Sequence, residues 1–265
     1  MKRVLITGET SYIANRFAAC LKEKPEEYTA KLLNLRDTSW HKEDLSQYDV
    51  VVHTAALVHK KETPENAAQY YTVNRDLTIE LAQKSKAEGV GQFLFLSTGS
   101  VYGLIEGIIT KDTIPHPITN YGKSKLQAEE ALIPMHGKDF SVAILRPLMV
   151  YGEGCRGNYR ILEKLAKIAP VIPDYSNRRS LVSIENLCLQ MMKIICASEG
   201  GYYFPHDPKD VCTCELIGQI AEAQGKHLRR LKVLNPAVSI LLYTAVGKKA
   251  FGNLIYENMD KLPFH

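Results

Sequence analysis

The sequence predicts an α/β fold, with helices on both faces of a doubly wound parallel sheet. Short β-branched runs alternate with longer helical patterns from residue 3 to about residue 147. Most of these runs are apolar throughout rather than alternating, as expected for strands that are covered on both faces. Repeated strand–helix units of this kind are typical of doubly wound sheets.

The elements can be predicted in chain order. The strands cover residues 4–7, 31–35, 50–53, 93–97 and 142–145, and the helices 13–23, 67–88 and 124–132. After Gly152 the loops become rich in Pro and Gly. Helices are predicted there near 160–168, 185–197 and 215–224. No final strand or helix is predicted in residues 248–265. We interpret this second part as a smaller lobe that covers the carboxyl ends of the strands.

Composition and charge limit the classes of function. Hydrophobic residues make up 45% of the chain and charged residues 23%, as in ordinary globular enzymes. The formal net charge is +4, but the basic pairs lie far apart, so we expect no nucleic-acid partner. The N-terminal apolar run is too short for a signal peptide, and the longest later stretch, around VSILLYTAVG, is too short to span a membrane.

The six cysteines predict neither a disulfide framework nor a metal site. They show no C-x-x-C spacing and no matching histidine cluster, so we expect reduced thiols and no bound metal. With no membrane segment, the chain is predicted to be cytoplasmic and to have no membrane partner.

The stretch VLITGETSYIANRFAACL has the pattern of a strand, a tight turn and a helix. A turn at this place in a parallel sheet can hold a dinucleotide pyrophosphate against the amino end of the helix. Such turns usually carry three glycines, whereas here Gly8 is followed by Ser11 and Ala14 at the other two spacings. Both replacements are small, and Ser11 adds a hydroxyl that can contact phosphate. We therefore interpret the stretch as a modified dinucleotide-binding turn.

The segment YGKSK places the phenol of Tyr121 and the ammonium of Lys125 on one face of a helix. A free phenol has a pKa of about 10, which is too high for a base near neutral pH. A neighbouring ammonium lowers that pKa, so the pair can exchange a proton with a substrate hydroxyl. Taken alone, this spacing is common and more often belongs to a pair of residues on an exposed helix surface. Its position favours catalysis, because the upstream strand 93–97 ends in Thr98, whose hydroxyl can bond the same substrate oxygen.

Several segments follow one another in a recognisable order: TGETSYIA, DVVVHTAA, YTVNRDLT, FLFLSTGSVYG, YGKSK, LRPLMVYG and NRRSLVSIENL. Together they resemble the extended short-chain dehydrogenase/reductase superfamily, in its nucleotide-sugar epimerase/dehydratase branch. The resemblance implies a Rossmann-type doubly wound parallel sheet over residues 1–150 that binds NAD or NADP. It also implies a smaller C-terminal substrate-binding lobe over residues 151–265, not an independent domain, that grips a nucleoside-diphosphate sugar.

The resemblance further implies roles for individual residues. Tyr121 is expected to be the acid/base catalyst, with Lys125 as its pKa-lowering partner and Thr98 as the hydroxyl beside the substrate. The expected cofactor-binding residues are Gly8, Ser11, Tyr12, Ile13, Arg36, Asp44, Leu45, Thr54, Ala55, Ala56, Asn74, Ser97, Tyr121 and Lys125. The expected substrate-binding residues are Thr98, Ser100, Met149 and Arg179.

Some of these assignments have a plain structural alternative. Asp44 and Leu45 can meet an adenine edge, or they can belong to a turn and the core. Asn74 is expected to brace the helix and strand near the cofactor. Arg179 aligns with an arginine that contacts the nucleotide diphosphate, or it lies in a solvated basic loop.

The chain also departs from the pattern of its branch. Many relatives have an asparagine directed toward the substrate at the position where this chain has Met149. The 4,6-dehydratases carry an Asp-Glu pair directly after the catalytic threonine, whereas Gly99 and Ser100 stand here. Dehydration therefore lacks its acid and base, and we do not expect it.

The cofactor preference depends on the end of the second strand. An acidic residue there suits the ribose diol of NAD, and an arginine suits the additional phosphate of NADP. Arg36 and Asp37 stand side by side, and a shift of one residue reverses the preference. We expect NAD(P), with NADP slightly favoured through Arg36.

These features lead to one main functional hypothesis and three alternatives. The main hypothesis is a 4-epimerase of a nucleoside-diphosphate sugar, similar to UDP-glucose/galactose 4-epimerase. The first alternative is an NADPH-dependent reductase of a nucleotide 4-keto sugar, which would use the same residues. The others are a non-catalytic cofactor-binding sensor and an oxidoreductase for a non-sugar alcohol. A homodimer is expected, formed by helix 67–88 and the helix that begins near Tyr121.

Overall fold

A computed structural model describes residues 1–58, 60–155 and 157–264. Its strands are β1 Lys2–Thr7, β2 Tyr28–Leu33, β3 Val50–His53, β4 Gln92–Leu96, β5 Gly107–Ile109, β6 Ser141–Leu145, β7 Val150–Tyr151, β8 Val171–Pro173, β9 Val182–Ser183, β10 Gly201–Tyr203, β11 Arg229–Leu231, β12 Leu254–Tyr256 and β13 Lys261–Leu262. Its α-helices are α1 Tyr12–Lys22, α2 Ala67–Tyr71, α3 Leu77–Ala87, α4 Asn120–Leu132, α5 Asn158–Ile168, α6 Ile184–Ala197, α7 Thr213–Ala223, α8 Asn235–Leu241 and α9 Ala245–Phe251.

The central sheet has the strand order β13-β10-β6-β4-β3-β1-β2. Its neighbouring strands run parallel, except that β13 pairs antiparallel with β10. The chain order reverses beside β1, because β2 lies on one side of it and β3 on the other. The register aligns Thr7 with His53 at the carboxyl ends of β1 and β3. The crevice outside such a reversal point is where open α/β sheets bind ligands. The predicted α/β fold with a doubly wound parallel sheet is confirmed.

Apolar side chains of each strand alternate between two cores, one on each face of the sheet. In β3, Val50 and Val52 join the core beneath α1 and α6, and Val51 joins the core beneath α3 and α4. Phe17 on α1 and Leu81 on α3 are fully buried in these two cores. Burial on both faces explains why these strands are apolar throughout.

The smaller lobe consists of short paired strands and helices, which come from the second half of the chain except for β5. Its pairs are β5 with β12, β7 with β9 and β8 with β11. Helices α5 and α7 surround a third apolar core that includes Ile172 and Ile217. The central sheet extends beyond the predicted division at residue 150, because β10 and β13 are strands of it. Helix α6 also packs on one of its faces.

The observed elements differ from the predicted ones in places where side chains decide the boundary. Strand β2 ends at Leu33 because the Asn34 side chain accepts a hydrogen bond from Arg36 N and turns the chain. The helix predicted over 67–88 contains a π-helical turn, Thr72–Asp76, between α2 and α3. The prediction that residues 248–265 form no strand or helix was wrong, since α9 reaches Phe251 and β12 and β13 follow. These strands are two or three residues long and depend on partners elsewhere in the chain.

No helix in the described part of the chain is long and apolar enough to cross a membrane.

Candidate active site

The turn between β1 and α1 is fitted closely against the end of β3. Gly8 has φ of +92°, and a Cβ there would lie 3.2 Å from the backbone of Ala55. The Thr54 hydroxyl donates to Thr7 O over 2.7 Å and fixes the two strand ends to each other. The positive φ thus favours glycine at position 8, where the space for a side chain is also tight. The close approach keeps the backbone of residues 54–56 beside the amino end of α1, although two of the three usual glycines are replaced.

The residues after Gly8 have clear structural roles. Ser11 is the N-cap of α1, and its hydroxyl accepts a hydrogen bond from Ala14 N over 3.4 Å. Tyr12 extends away from the turn, and its hydroxyl donates to Glu153 O over 2.7 Å. Ile13 packs against the core beneath α1. Tyr12, which was predicted to line the pyrophosphate, therefore connects α1 to the smaller lobe through its side chain.

The amino end of α4 is held by capping groups that fix Tyr121. Thr119 Oγ1 accepts from Gly122 N over 3.0 Å. Glu62, from the loop after β3, accepts from Asn120 N over 2.9 Å and from Tyr121 N over 3.0 Å. A carboxylate at this end of a helix satisfies unpaired N–H groups and complements the helix dipole. Sequence reasoning missed Glu62, because it lies 58 residues before Asn120 and no local motif marks it.

The glycine of YGKSK lets α4 approach the turn that carries Thr98. A Cβ on Gly122 would lie 2.7 Å from Ser100 O, so only glycine permits this packing. Tyr121 is half-buried, and burial raises the pKa of its phenol to about 12. A side-chain hydrogen bond with Thr98 acts in the opposite direction. The two hydroxyls that were predicted to share one substrate oxygen are therefore neighbours.

Lys125 lies one turn further along α4 and is almost fully buried. Its Nζ donates to Leu96 O over 2.8 Å and lies 4.3 Å from the centre of the Phe95 ring. Burial lowers the pKa of this ammonium to about 7, while Glu129 acts to raise it. The predicted lowering of the Tyr121 pKa by Lys125 is not seen, since the ammonium is directed at the end of β4.

A buried ion pair lies beneath these groups. Arg146 donates to Glu129 Oε2 over 2.5 Å from Nη2 and to the Tyr102 hydroxyl over 2.8 Å from Nη1. The Ser97 hydroxyl also donates to the Glu129 carboxylate. Ser97, a predicted cofactor residue, thus directs its side chain into this pair. The pair connects α4 to the ends of β4 and β6.

A second buried polar group braces the loop after β3. Asn74 is fully buried in the π-helical turn, where its Oδ1 accepts from Leu57 N over 2.7 Å and its Nδ2 donates to Ser124 Oγ over 3.3 Å. His53 lies between Thr7 Oγ1 at 2.7 Å and Thr78 Oγ1 at 2.9 Å. Burial, and then the charge of Lys125, lowers the pKa of His53 to about 3, so its imidazole is neutral.

The end of β2 brings Arg36 to the turn after β1. Its guanidinium donates to Thr10 Oγ1 over 2.9 Å, whereas the Asp37 carboxylate accepts from Ser39 N over 2.8 Å and caps a short helix. Asp44 likewise accepts from Ser46 N over 3.0 Å, and the Leu45 side chain is fully buried. In the structure Asp44 therefore caps a turn, and the Leu45 side chain lies in the core.

The predicted substrate residues fall into two groups. Ser100 is exposed beside Thr98, and its N–H donates to Thr98 Oγ1 over 3.1 Å. Met149 packs against the apolar core of the smaller lobe and presents no polar group there. Arg179 lies in that lobe, where Nη1 donates to Gly252 O over 2.9 Å. Burial lowers the pKa of Arg179, and within the described ranges no carboxylate lies within 4 Å of it.

Position 99 has no room for a side chain. A Cβ on Gly99 would lie 2.3 Å from Leu148 Cδ2 and 3.2 Å from the backbone of Leu148. Within the described residues, no group of three or more His, Cys, Asp or Glu side chains could hold a metal ion. The site thus contains a phenol, an ammonium and hydroxyls, without an acid after Thr98.

The family model for NAD-dependent epimerases and dehydratases matches residues 4–195. The chain belongs to this family. The resemblance to extended short-chain dehydrogenases/reductases is thereby confirmed, and the chain is an NAD(P)-dependent enzyme of the epimerase and reductase type.

Individual comparisons agree with this assignment. The chain is 31% identical over 260 residues to a UDP-glucose 4-epimerase of Vibrio cholerae, covering 88% of this chain and 79% of that protein. It is 26% identical to an N-acetyl-α-D-glucosaminyl-diphospho-ditrans,octacis-undecaprenol 4-epimerase of Escherichia coli O157:H7, covering 77% and 63%. A UDP-glucuronic acid 4-epimerase from Bacillus cereus, solved with NAD, has the same fold, with a TM-score of 0.70 at 20% identity over 94% of each chain.

Proposed function

We propose that this family member interconverts nucleoside-diphosphate sugars that are epimeric at C4, with UDP-glucose and UDP-galactose as the first pair to test. The neighbouring hydroxyls of Thr98 and Tyr121, with Lys125 at the end of β4, carry the proposal. The relationship to the Vibrio cholerae UDP-glucose 4-epimerase supports this choice of substrate.

Tyr121 moves the proton in the proposed reaction. Its phenolate accepts the proton of the C4 hydroxyl while the C4 hydride leaves, and the resulting 4-keto sugar turns over in the site. Tyr121 then returns the proton as hydride comes back to the other face of C4. Thr98 holds the same sugar oxygen by a hydrogen bond, which orients the hydroxyl toward Tyr121.

The residues around Gly8 would hold the cofactor. The turn at Gly8 lies against Ala55 at the amino end of α1, where a pyrophosphate would bind, and Lys125, at the end of β4, would contact the nicotinamide ribose. A bound nicotinamide would supply the hydride-accepting carbon and, when oxidised, a positive charge that favours the phenolate. With a pKa of about 12, only about one Tyr121 in 10⁵ is ionised at neutral pH without such help.

Arg179 would bind the diphosphate of the substrate. Its guanidinium is partly buried, and no carboxylate among the described residues neutralises it. A cation in such a position is stabilised by an anion that brings its own oxygen acceptors. The exposed neighbour Arg178 already forms an ion pair with Asp210 at 2.8 Å, so it serves as the control position.

Conversion of UDP-galactose to UDP-glucose, followed by NMR with a catalytic amount of NAD, tests the proposal. We expect Tyr121→Phe to reduce turnover by roughly 10²-fold or more, because general acid/base catalysis is lost. Arg179→Ala is expected to raise KM, whereas Arg178→Ala leaves KM within about twofold of the original. Unchanged turnover in Tyr121→Phe would contradict the catalytic assignment.

A nucleotide 4-keto-sugar reductase is the second candidate function, since it would use the same three catalytic residues. The bond between Arg36 and Thr10 favours it, because it places a cation beside the cofactor turn, where NADP carries its additional phosphate. We therefore propose a preference for NADP within the NAD(P) class. Stoichiometric consumption of NADPH with a 4-keto sugar would identify the reductase, whereas NAD that remains bound after purification would favour the epimerase.

Two further substrate and assembly questions belong to the same assays. One relative acts on a sugar diphosphate that carries undecaprenol, so a polyprenyl-diphosphate sugar should be included among the substrates. We also propose a homodimer formed through the faces of α3 and α4, which sedimentation equilibrium can test. A sensor without catalytic activity would show cofactor binding and no turnover with any of these sugars.

A further inference from the structure

The segment around α8 and α9 exposes large apolar side chains that nothing in the proposed reaction uses. Val233 is 78% exposed, Ile240 70%, Tyr243 90% and Val246 78%. The stretch VSILLYTAVG, which is too short to span a membrane, lies at the centre of this segment. Contiguous exposed apolar surface on a folded protein marks a site of association. We name residues 231–246 the apolar corner.

The apolar corner is a built structure rather than a loose loop. Thr244 caps α9 by accepting from Gly247 N over 3.0 Å, and its hydroxyl donates to Leu241 O over 2.7 Å. A Cβ on Gly247 would lie 1.9 Å from Leu241 O, so glycine allows the two helices to meet tightly. Val238 is buried on the opposite face of α8. The corner therefore presents Tyr243 at its tip on a fixed backbone.

The charged residues in the chain segment around the apolar corner are all cations. From residue 223 to residue 256 the sequence contains no Asp or Glu, and its cations are Lys226, Arg229, Arg230, Lys232, Lys248 and Lys249. Arg230 pairs with Glu215, and Lys248 pairs with Glu106. Arg229, Lys232 and Lys249 are exposed, and in the described part of the chain no carboxylate lies within 4 Å of them.

We propose, contrary to the expectation of no membrane partner, that the apolar corner docks the protein on the surface of an anionic lipid bilayer. Short amphipathic helices with aliphatic side chains, an aromatic tip and flanking cations bury the apolar groups at the headgroup boundary, and the cations bind anionic lipids. Tyr prefers this interface because its ring is apolar and its hydroxyl is polar. The corner is peripheral, in agreement with the lack of a spanning helix among the described residues.

A second copy of the chain fits this surface less well. A twofold contact pairs the same patch on both subunits, so Lys232 and Lys249 would face the cations of the partner copy. Such pairing is repulsive unless anions intervene, whereas an anionic bilayer supplies opposite charge directly.

Docking at the apolar corner would also orient the smaller lobe. The residue that follows α9 is Gly252, whose carbonyl accepts the hydrogen bond of Arg179. Phe251, at the end of α9, packs edge-to-face on Tyr175 with ring centres 6.2 Å apart. The corner is thus joined to the lobe that carries Arg179, and the bilayer would lie next to that lobe. This inference stands without the proposed 4-epimerase activity, because it concerns only the surface.

Vesicle co-sedimentation of the full chain tests the proposal. We expect binding to phosphatidylcholine vesicles that contain about 30 mol% phosphatidylglycerol, and little binding to phosphatidylcholine alone. Ile240→Ser, Tyr243→Ser and Val246→Ser, combined in one protein, should weaken binding about tenfold or more, since each removes apolar area from the contact. Lys232→Glu with Lys249→Glu should weaken it on anionic vesicles in particular.

A matched control removes exposed apolar side chains elsewhere. Ile114→Ser with Leu189→Ser, at positions 82% and 55% exposed, should bind vesicles as the unaltered chain does. Thermal melting shows whether every variant folds. The proposal is overturned by absence of binding to anionic vesicles, or by equal binding of the triple variant. It is also overturned if the corner holds a dimer together instead. In that case the original chain would be a dimer that does not bind vesicles, and the triple variant would be a monomer.

Discussion

Replacing Lys125 by Met should stabilise the folded protein at neutral pH while it removes activity. The Lys125 side chain is only 1% exposed, and burial lowers its pKa from 10.5 to about 7. Folding therefore releases a proton that the unfolded chain retains near neutral pH. Because the folded state binds this proton less tightly, the free energy of unfolding rises with pH between about 7 and 10.5, and the penalty is complete below pH 7.

The size of the effect follows from the two pKa values. At 1.36 kcal/mol per unit, the penalty is on the order of 4 kcal/mol near pH 6.5 and about 1 kcal/mol near pH 9.5. Met has similar length and no charge, so it removes the penalty and retains the packing against Phe95. It also removes the bond to Leu96 O, which costs about 1–3 kcal/mol at either pH. The variant should therefore gain stability near pH 6.5 and gain nothing, or lose a little, near pH 9.5.

Urea denaturation of both proteins at the two pH values measures this difference. The gain of Lys125→Met over the original chain should be about 3 kcal/mol larger near pH 6.5 than near pH 9.5. Lys123→Met provides the control, because Lys123 lies on the same helix and is exposed. A gain that is equal at both pH values, or a loss near pH 6.5, would refute the argument that burial of Lys125 opposes its charge.

Three other substitutions probe the groups around the site. Glu62→Ala removes the acceptor of Asn120 N and Tyr121 N. The free energy of unfolding should therefore fall by about 1–2 kcal/mol and kcat should also fall, with Glu62→Gln in between. A kcat equal to that of the original chain would contradict this positioning role. Glu129→Gln leaves Arg146 buried without its countercharge and should lower the free energy of unfolding by about 3–5 kcal/mol in urea denaturation, a loss that Arg146→Met in the same chain should partly restore. Arg36→Glu should shift the NADP/NAD ratio of kcat/KM toward NAD by about tenfold, and an unchanged ratio would remove Arg36 from cofactor selection.

The part of the fold that could be predicted is the part that depends on local pattern. Strand β3 was predicted with its observed bounds, Val50–His53, because burial on both faces requires a short apolar run with a polar end. Strand β13 could not be predicted in this way, since Lys261–Leu262 is a strand only through its antiparallel partner β10. The end of β2 likewise depends on one side-chain bond of Asn34 that hydropathy does not encode.

The candidate site likewise has some residues that a local sequence pattern predicts and others that it does not. YGKSK and the strand end at Thr98 are local signals, and the structure brings Tyr121 and Thr98 together because Gly122 allows α4 to pack on residue 100. Glu62 has no local signal, although it bonds to the backbone N–H of Tyr121. Ser97 shows what a motif leaves open: its place in the motif predicted a cofactor contact, and the structure directs its hydroxyl to Glu129. Motifs indicate which backbone reaches a site, and the direction of a side chain depends on what it meets there.

Burial has opposite consequences for the two groups that were expected to work as a pair. It raises the pKa of Tyr121 to about 12 and lowers that of Lys125 to about 7, so each shift disfavours the charged form that proton transfer from a sugar would use. The packing that places both groups at the end of β4 also causes these pKa shifts. The two side chains therefore cannot be buried in these positions without the shifts. The missing stabilisation has to come from charge that arrives with the bound molecules, such as an oxidised nicotinamide for the phenolate. The pH dependence of kcat should therefore report the site with its bound molecules. The pKa values that it gives should lie between about 7 and about 12, the values of Lys125 and Tyr121 without bound molecules.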